Sequence, residues 1–156
     1  MFGHCVWYTL NSNCRLTKLL RHLSEKFHTD IYRAHITLHS HNNATTADHL
    51  YKLQSQITKP WFKLKGNVYQ TKTISRTNNE FYALQQNYEM YGIGRLGDYH
   101  VSLAYRINRP FTEEEIAYAN GMVPVDTIWS YEFYLSLNDC RTLLPKHWNQ
   151  LKRHIF

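Results

Sequence analysis

The sequence predicts an α+β fold in which helices lie outside largely antiparallel sheet surfaces. Two observations indicate this class. Apolar segments that alternate at period two recur along the chain, and segments with leucines at helical spacing lie between several of them. The 156 residues contain no repeat, low-complexity tract or linker, so we expect one domain over 1–156.

The first half of the chain predicts two strand–helix pairs. Residues 2–10 are largely apolar and aromatic and predict a strand. The following helix carries apolar residues at helical spacing, namely Leu16, Leu19, Leu20, Leu23 and Phe27. Residues 33–40 alternate and predict a second strand. Thr45-Thr46-Ala47-Asp48 resembles a capping box with Asp in place of Glu, and it opens a helix predicted to turn three apolar residues inward: Leu50, Leu53 and Ile57.

The second half of the chain is richer in predicted strands. Strands are expected near 61–71 and 80–86, then a glycine-bearing loop over 87–97 and a strand over 99–105. Thr112 before three glutamates predicts a helix start, and Gly121 its end. Over 128–137, apolar or aromatic residues occupy every second position, which predicts a strand with one buried face. A short helix with Trp148, Leu151 and Ile155 is expected at the end of the chain.

The net charge of +6 is concentrated in one segment. No acidic residue lies between Asp48 and Glu80, whereas the other 12 basic residues equal the 12 acidic ones in number. The basic residues of this segment are Lys52, Lys59, Lys63, Lys65, Lys72 and Arg76. Such a segment fits an anionic ligand, for instance a nucleotide or an RNA end, and a solvated lysine-bearing surface is the alternative.

The cysteines and the N-terminus indicate where the protein resides. Cys5, Cys14 and Cys140 are odd in number and show no paired spacing, so we expect three free thiols and a reducing, cytoplasmic compartment. The first residues show no basic leader or cleavage site, and no apolar run is long enough to cross a membrane. We therefore expect no membrane partner and no obligate protein partner.

Two segments share a pattern in which a hydroxyl residue follows a histidine by two positions, between apolar or aromatic neighbours. They are Ala34-His35-Ile36-Thr37-Leu38 and Tyr99-His100-Val101-Ser102-Leu103. Residues two apart on a strand point to the same face, so each histidine lies beside its hydroxyl. Among 10 histidines, about one such match is expected by chance. The third match, His22-Leu23-Ser24, falls in a predicted helix, where positions two apart diverge.

Two such strands side by side would present two imidazoles and two hydroxyls to one cleft. Cleavage of a phosphodiester needs a base for the attacking oxygen and an acid for the leaving oxygen. His35 and His100 suit both roles, because the unperturbed pKa of histidine lies near neutrality. Thr37 and Ser102 can donate hydrogen bonds to the non-bridging oxygens. The sequence predicts a catalytic site without a cofactor or metal, and it leaves open which histidine is the acid.

The motifs resemble those of the two-histidine (2H) phosphoesterase superfamily. Val6-Trp7-Tyr8, His35-Ile36-Thr37-Leu38 and His100-Val101-Ser102-Leu103-Ala104-Tyr105 look most like segments of the small cyclic nucleotide phosphodiesterases. The resemblance implies a bilobal fold of two antiparallel-rich sheets, with outer helices, a central cleft, one motif per lobe and no metal. It also implies activity on 2′,3′-cyclic phosphates, 2′,5′-linked oligoadenylates or cyclic dinucleotides. Viral members of the group, including phage anti-CBASS nucleases, destroy such immune messengers.

Further residues are candidates for substrate binding. Tyr105 matches an aromatic residue that often follows the second motif in relatives and can cover the ligand. A regular strand would point it away from His100, so it needs a bend or a strand end after Ala104. Tyr8 and Tyr82 are candidates for stacking a base, and burial in the aromatic core is the alternative for each tyrosine.

Three other interpretations account for less of the sequence. The segment 92–97 matches G-x-G-x-x-G but leads into the His100 strand instead of a helix, so we expect a flexible loop with Arg95 available to an anion. His39 continues the face of His35 and is a candidate for the phosphate cleft; with His41 it could share a zinc, although no third ligand is near in sequence. A non-catalytic RNA-binding module would use the charge of residues 49–79 but leaves the matched motifs unexplained.

Overall fold

The computed structural model describes residues 3–92, 98–123, 126–142 and 144–154, and within them strands and helices form an α+β fold. The strands are β1 His4–Leu10, β2 His35–His41, β3 Trp61–Ile74, β4 Glu80–Tyr91, β5 Asp98–Ile107, β6 Thr127–Ile128, β7 Phe133–Asp139 and β8 Asn149–His154. The α-helices are α1 Arg15–Phe27, α2 Ala44–Ser55 and α3 Glu113–Met122. None of these helices combines the length and the apolar character that a bilayer span requires.

The strands form one sheet in the order β6-β3-β4-β5-β2-β1-β7-β8, with antiparallel pairing throughout. The expectation of two separate sheets is therefore wrong at the level of hydrogen bonding. The two four-strand halves meet where β2 pairs with β5, and the paired residues are Ile36 and Val101. Both side chains are fully buried in the same core, which explains why the motif strands join there.

The two faces of the sheet are packed differently. Val6, Tyr8 and Ile36 belong to the large core that also contains the leucines of α1 and Ala119 of α3, and Tyr8 accepts a hydrogen bond from Gln54 of α2. We call this side the helix face. A small separate cluster of Cys5, Trp7 and Cys140 lies on the other side, which we call the cleft face.

The patterns of α1 and α3 predict these helices correctly. All five apolar residues expected to face inward from α1 are buried. At α3, the backbone N–H of Glu115 donates to the Thr112 hydroxyl, and the backbone N–H of Thr112 donates to the Glu115 carboxylate. The helix ends one residue beyond the expected Gly121.

The second helix begins earlier than predicted and turns a different face inward. Asn43 is its cap, because its side-chain oxygen accepts from the backbone N–H of Thr46 at 3.1 Å. The helix buries Ala47 and Tyr51, whereas two of the three residues expected to be inward, Leu53 and Ile57, are exposed. Ile57 also lies beyond the end of the helix.

Two predictions near the end of the chain are wrong. The segment 128–137 is not one strand, because a 3-10 turn over 130–132 interrupts it and leaves Trp129 and Tyr131 exposed. The predicted terminal helix is strand β8, which pairs with β7. Without β8, the edge of β7 would have unpaired backbone N–H and C=O groups. Pairing with these groups stabilises the terminal segment as a strand more than its short helical spacing stabilises a helix. Ile155 lies outside the described residues.

Candidate functional site

The two motifs meet at the junction of β2 and β5. Because Ile36 is paired with Val101 in an antiparallel ladder, the residues on either side of each are also opposite one another. His35 therefore lies opposite Ser102, and Thr37 lies opposite His100. All four share the cleft face, since each is one position from the buried pair. The histidines are diagonal neighbours, at a typical separation of about 7–8 Å.

A β-bulge follows each motif at the same offset from its histidine. In β2, Thr37 pairs with Trp7 and His39 with Val6, so Leu38 is the extra residue. The bulge moves His39 to the helix face, and the prediction that His39 continues the face of His35 is wrong. Ser40 takes its place on the cleft face, opposite Cys5.

In β5, Ser102 pairs with Gln85 and Ala104 with Leu84, so Leu103 is the extra residue. Tyr105 consequently lies opposite Ala83 and returns to the cleft face. The irregularity therefore lies at Leu103, before Ala104 and not after it as expected, and the strand continues to Ile107.

The cleft face holds a cavity of about 190 Å³ that both histidines line. Thr37, Ser40, Tyr105 and Trp7 also line it. The structure thus brings together His35, His100, Thr37 and Tyr105 around one small space. Ser102 lies on the same face at 4% exposure but does not line the cavity itself.

The His35 ring is held in a defined orientation. Its Nδ1 lies 2.6 Å from the backbone oxygen of Arg33, and its ring stacks on Trp7 with centroids 3.5 Å apart and planes 10° from parallel. Tyr32 and Trp148 meet it edge-on at 6.2 and 6.0 Å. A carbonyl oxygen only accepts hydrogen bonds, so Nδ1 carries the hydrogen and Nε2 of the neutral ring keeps its lone pair.

Both histidines are biased towards the neutral form. The pKa of His35 is lowered to about 4, chiefly by burial; the hydrogen bond to the Arg33 carbonyl opposes this shift, and the positive charge of protonated His100 contributes to it. Burial also lowers the pKa of His100. The influence of His100 on His35 indicates that the two rings lie within electrostatic reach of each other.

Tyr105 forms one wall of the cavity. Its ring packs against Tyr32 at 4.9 Å, Phe81 at 4.9 Å and Trp148 at 5.4 Å. Burial raises the pKa of its hydroxyl well above the usual value, so the phenol stays protonated and can donate a hydrogen bond.

Three other predicted site residues are placed elsewhere or not described. Tyr8 and Tyr82 lie in the core on the helix face, so the alternative of burial holds for both tyrosines. The Tyr8 hydroxyl accepts from Gln54, and the Tyr82 hydroxyl donates to Glu80 at 2.6 Å. Arg95 lies outside the described residues, as do the other residues of 93–97. The first part of the expected loop is wrong, because residues 87–91 continue strand β4 and pair with β3.

The sequence pointed to Tyr8 where the structure places Trp7 in the cleft. Both residues are aromatic, and both faces of β1 are buried, so no polar alternation marks the side that meets the histidines. Thr9 pairs with His35 and Trp7 pairs with Thr37, and this register places Trp7 on the cleft face. The register depends on both strands, so the β1 segment alone does not specify it. Cys5 and Cys140 of this face were likewise missed as lining residues, although neither forms a disulfide, as expected.

The described residues supply no third ligand for a zinc site that would use His39 and His41. Within the part of the chain that the structure describes, no three His, Cys, Asp or Glu side chains are grouped so as to hold a metal ion. His41 shares the helix face with His39, and its Nδ1 accepts from the backbone N–H of Asn43 at 3.0 Å.

The basic segment of the sequence does not form one basic surface. Three of its lysines are paired with carboxylates on the same helix or the neighbouring strand, which matches the solvated-surface alternative. The pairs are Lys52–Asp48 at 3.1 Å, Lys65–Glu89 at 3.6 Å and Lys72–Glu80 at 3.0 Å.

A larger cavity of about 1110 Å³ opens beside the two-histidine cavity, and we call it the basic groove. Five cationic side chains line it, and none of its described lining residues is acidic. The five are Arg21, Arg33, Lys59, Lys146 and Arg153. They come from distant parts of the chain, so a count of charge along the sequence does not reveal the groove.

No protein-family model and no curated protein matches this chain. The function is therefore argued from the geometry and chemistry of the cleft.

Proposed function

We propose that the protein is a metal-independent phosphodiesterase that cleaves a cyclic nucleotide or a short oligonucleotide by two-histidine acid–base catalysis. The observation that carries the proposal is the position of His35 and His100, which line one small cavity as diagonal neighbours across the β2–β5 junction. Each has a hydroxyl residue beside it on its own strand. A phosphate between the two rings would meet a proton-transfer group on each side of the line of attack.

The surroundings of the two rings suggest a role for each. His35 has a free lone pair at Nε2 and the lower pKa of about 4, so it is the base that takes the proton from the attacking oxygen. His100 is less buried and accepts a proton at smaller cost, so it is the acid that protonates the leaving oxygen. The anionic phosphate stabilises the imidazolium of His100, and Thr37 and Ser102 donate to the non-bridging oxygens.

The attacking oxygen defines the product. If water attacks, a cyclic phosphate opens to a monoester. If a neighbouring ribose 2′-hydroxyl attacks, the diester is cut and a 2′,3′-cyclic end forms. When the ribose hydroxyl attacks, its proton passes to His35 Nε2 and the leaving oxygen gains one from His100. When water attacks a cyclic end bound in the same orientation, the two histidines exchange these roles, because the ribose then carries the leaving oxygen.

The fold also supports the resemblance to the two-histidine phosphoesterases. The sheet divides at the β2–β5 junction into halves of four strands, and each half contributes one motif strand with a leucine bulge after the hydroxyl residue. We infer that these halves correspond to the two lobes that the resemblance implies, with the cavity as the central cleft.

The test is a panel of 2′,3′-cyclic mononucleotides, 2′,5′-oligoadenylate and cyclic dinucleotides, with product analysis. We expect His35→Ala and His100→Ala to lower the rate by about a hundred- to ten-thousand-fold on the substrate that the wild type cleaves. Thr37→Val and Ser102→Ala remove a hydrogen bond to a charged group and are expected to cost about 1.5–3 kcal/mol of transition-state stabilisation. Activity should persist in EDTA.

The matched control is His22→Ala. His22 belongs to the third His-x-Ser segment, but it lies on α1 and its Nε2 contacts the Tyr118 hydroxyl at 2.7 Å. Its replacement should leave the rate unchanged, and circular dichroism checks that each variant is folded. Full inhibition by EDTA with rescue by zinc would transfer the assignment to metal-dependent hydrolysis.

The basic groove favours one second candidate, a non-catalytic RNA-binding module. The same variants separate the two. A binding module would cleave nothing in the panel and would keep most of its RNA affinity after His35→Ala or His100→Ala.

A further inference from the structure

The small cavity is too confined for a whole nucleotide, since binding pockets for drug-sized ligands typically span about 300–1,000 Å³. Its 190 Å³ suit a phosphate and part of a ribose, so the remainder of any substrate must lie outside it. The basic groove is the adjoining space, and Trp7 and Trp148 line both cavities.

We propose that the basic groove binds the phosphodiester backbone of a single-stranded oligonucleotide whose scissile phosphate lies between His35 and His100. The natural substrate would then be an oligonucleotide of several residues and not a cyclic mononucleotide. This inference rests on the proposed function and specifies its substrate class.

The groove opens on the His35 side of the cleft. Tyr32 lines the groove and meets the His35 ring edge-on, and Trp7 forms the stacking surface beneath that ring. The backbone of Arg33 holds His35 Nδ1, while the Arg33 side chain lines the groove. A strand leaving the cavity past His35 therefore enters the groove directly.

Two of the cationic side chains that line the groove donate hydrogen bonds to neutral groups. The Arg33 Nη1 donates to the Tyr134 hydroxyl and to Gln150 Oε1, both at 3.0 Å. These two contacts orient the Arg33 guanidinium without neutralising it, in contrast to the paired lysines of the basic segment. The Lys59 Nζ donates to the backbone oxygen of Phe133 at 2.8 Å. The carboxylate of Asp30 lies at one end, where it accepts from the backbone N–H of Lys146 at 3.5 Å.

One buried polar atom that lines the groove lacks a partner among the described residues. Asn138 is 1% exposed; its Nδ2 donates to Ser136 Oγ at 2.9 Å, but its Oδ1 accepts nothing. A buried polar group without a partner costs about 1–3 kcal/mol, so a ligand that supplies a hydrogen-bond donor is favoured. The ribose hydroxyls and the base edges of an oligonucleotide supply such donors.

Aromatic side chains complete the case for nucleic acid over an acidic protein or a lipid surface. Tyr131, which is 74% exposed, and the ring of Tyr134 also line the groove, and such surfaces stack bases. The continuity of the groove with a phosphate-cleaving cavity gives no corresponding reason to expect a peptide or a membrane.

The test compares substrates that share one scissile bond but differ in length. Adenosine 2′,3′-cyclic phosphate is compared with tetra-adenylate that ends in a 2′,3′-cyclic phosphate, or the 2′,5′-linked dimer with the tetramer if the panel selects that linkage. We expect wild type to prefer the longer substrate in kcat/KM. Lys146→Glu with Arg153→Glu should reduce this preference about tenfold or more, since charges near two phosphates are reversed.

The control is Arg76→Glu, the same charge change in the β3–β4 turn, outside both cavities, which should leave the preference within twofold. An active wild type without a length preference, or a preference that the groove variants do not reduce, overturns the inference while the proposed function survives.

If the protein cleaves nothing, binding of fluorescein-labelled tetra-adenylate to the groove is measured directly. Groove-dependent binding then keeps the groove assignment and rejects the proposed function. Equal binding by wild type and groove variants, or binding only to polyglutamate or phosphatidylserine vesicles, rejects the inference.

Discussion

Burial of His35 makes the folded protein sensitive to acid at one position. The ring is 6% exposed, and burial lowers its pKa to about 4, whereas the pKa returns to about 6.5 when the chain unfolds. The unfolded chain therefore takes up this proton at a higher pH than the folded protein does. The resulting stability is fully present above pH 6.5 and is lost as the pH falls towards 4.

We expect this single histidine to account for about 2–3 kcal/mol of the loss of unfolding free energy between pH 7.5 and pH 4.5. The measurement is urea unfolding of wild type and His35→Gln at both values. The variant should be less stable at pH 7.5 but should show a correspondingly smaller drop on acidification. His22→Ala, which removes a surface histidine, should retain the wild-type drop. A variant drop as large as that of wild type would mean that His35 is not held neutral.

At the scale of elements, Arg106 joins β5 to two helices. Its guanidinium donates to both carboxylate oxygens of Glu115 in α3 at 2.8 Å and to the backbone oxygen of Phe27, the last residue of α1, at 3.1 Å. The bond to Arg106 holds the pKa of Glu115 at about 2, well below its usual value. The arginine is 8% exposed, so its loss would remove a buried donor from the Glu115 carboxylate and from the backbone oxygens of Phe27 and Pro110.

Arg106→Ala should therefore lower the free energy of unfolding by about 3 kcal/mol, measured in urea at pH 7. Arg141→Ala is the matched control, because Arg141 pairs with Asp139 at 2.7 Å while its side chain is 66% exposed. Exposed pairs of this kind contribute about 0–1 kcal/mol. Similar losses in both variants would show that burial of the Arg106 pair adds nothing.

The elements that could be predicted from the sequence are those whose signals are local. The spacing of the α1 leucines and the reciprocal cap at Thr112 lie within a few residues of the structure they specify. Strand β8 forms because it can pair with the edge of β7. Helix α2 buries Tyr51 because that side of the helix packs against the core on the helix face of the sheet. Neither cause can be seen in the segment itself.

In the candidate site, too, the features that could be predicted are those with local signals, and the others depend on a partner strand. The two His-x-Thr/Ser motifs specify their faces locally, and the cleft face carries all four of their side chains as expected. The faces of His39 and Tyr105 depend on bulges at Leu38 and Leu103, and a bulge is defined by the partner strand. Trp7 is in the cleft through its register with Thr37, which no single segment encodes.

At the scale of the whole molecule, the distribution of charge in space differs from that along the sequence. The segment with the excess of lysines contributes only Lys59 to the basic groove, while arginines and lysines from α1, the approach to β2 and the end of the chain converge there. Folding thus concentrates positive charge beside the cavity from parts of the sequence that are unremarkable individually.

This concentration predicts a dependence on salt that grows with substrate length. For single strands, the logarithm of affinity falls with the logarithm of salt by about 0.7 for each phosphate neutralised. With two or three groove phosphates, kcat/KM for a tetranucleotide should fall about tenfold between 50 and 200 mM salt. The mononucleotide should change much less, and the Lys146→Glu, Arg153→Glu protein should show a shallower slope. Parallel slopes for both substrate lengths would exclude the groove as the source.

The paired bulges also make the two sides of the cavity sterically different. The residue five places after each histidine returns to the cleft face, and it is Ser40 in one half and Tyr105 in the other. The two histidines and their hydroxyl residues are related by an approximate twofold rotation, but the side chains beside them are not. Ser40 is short and exposed, whereas Tyr105 is large and packed among other aromatic rings. A ligand therefore has more space beside Ser40 than beside Tyr105, so two binding orientations related by the twofold rotation are not sterically equivalent.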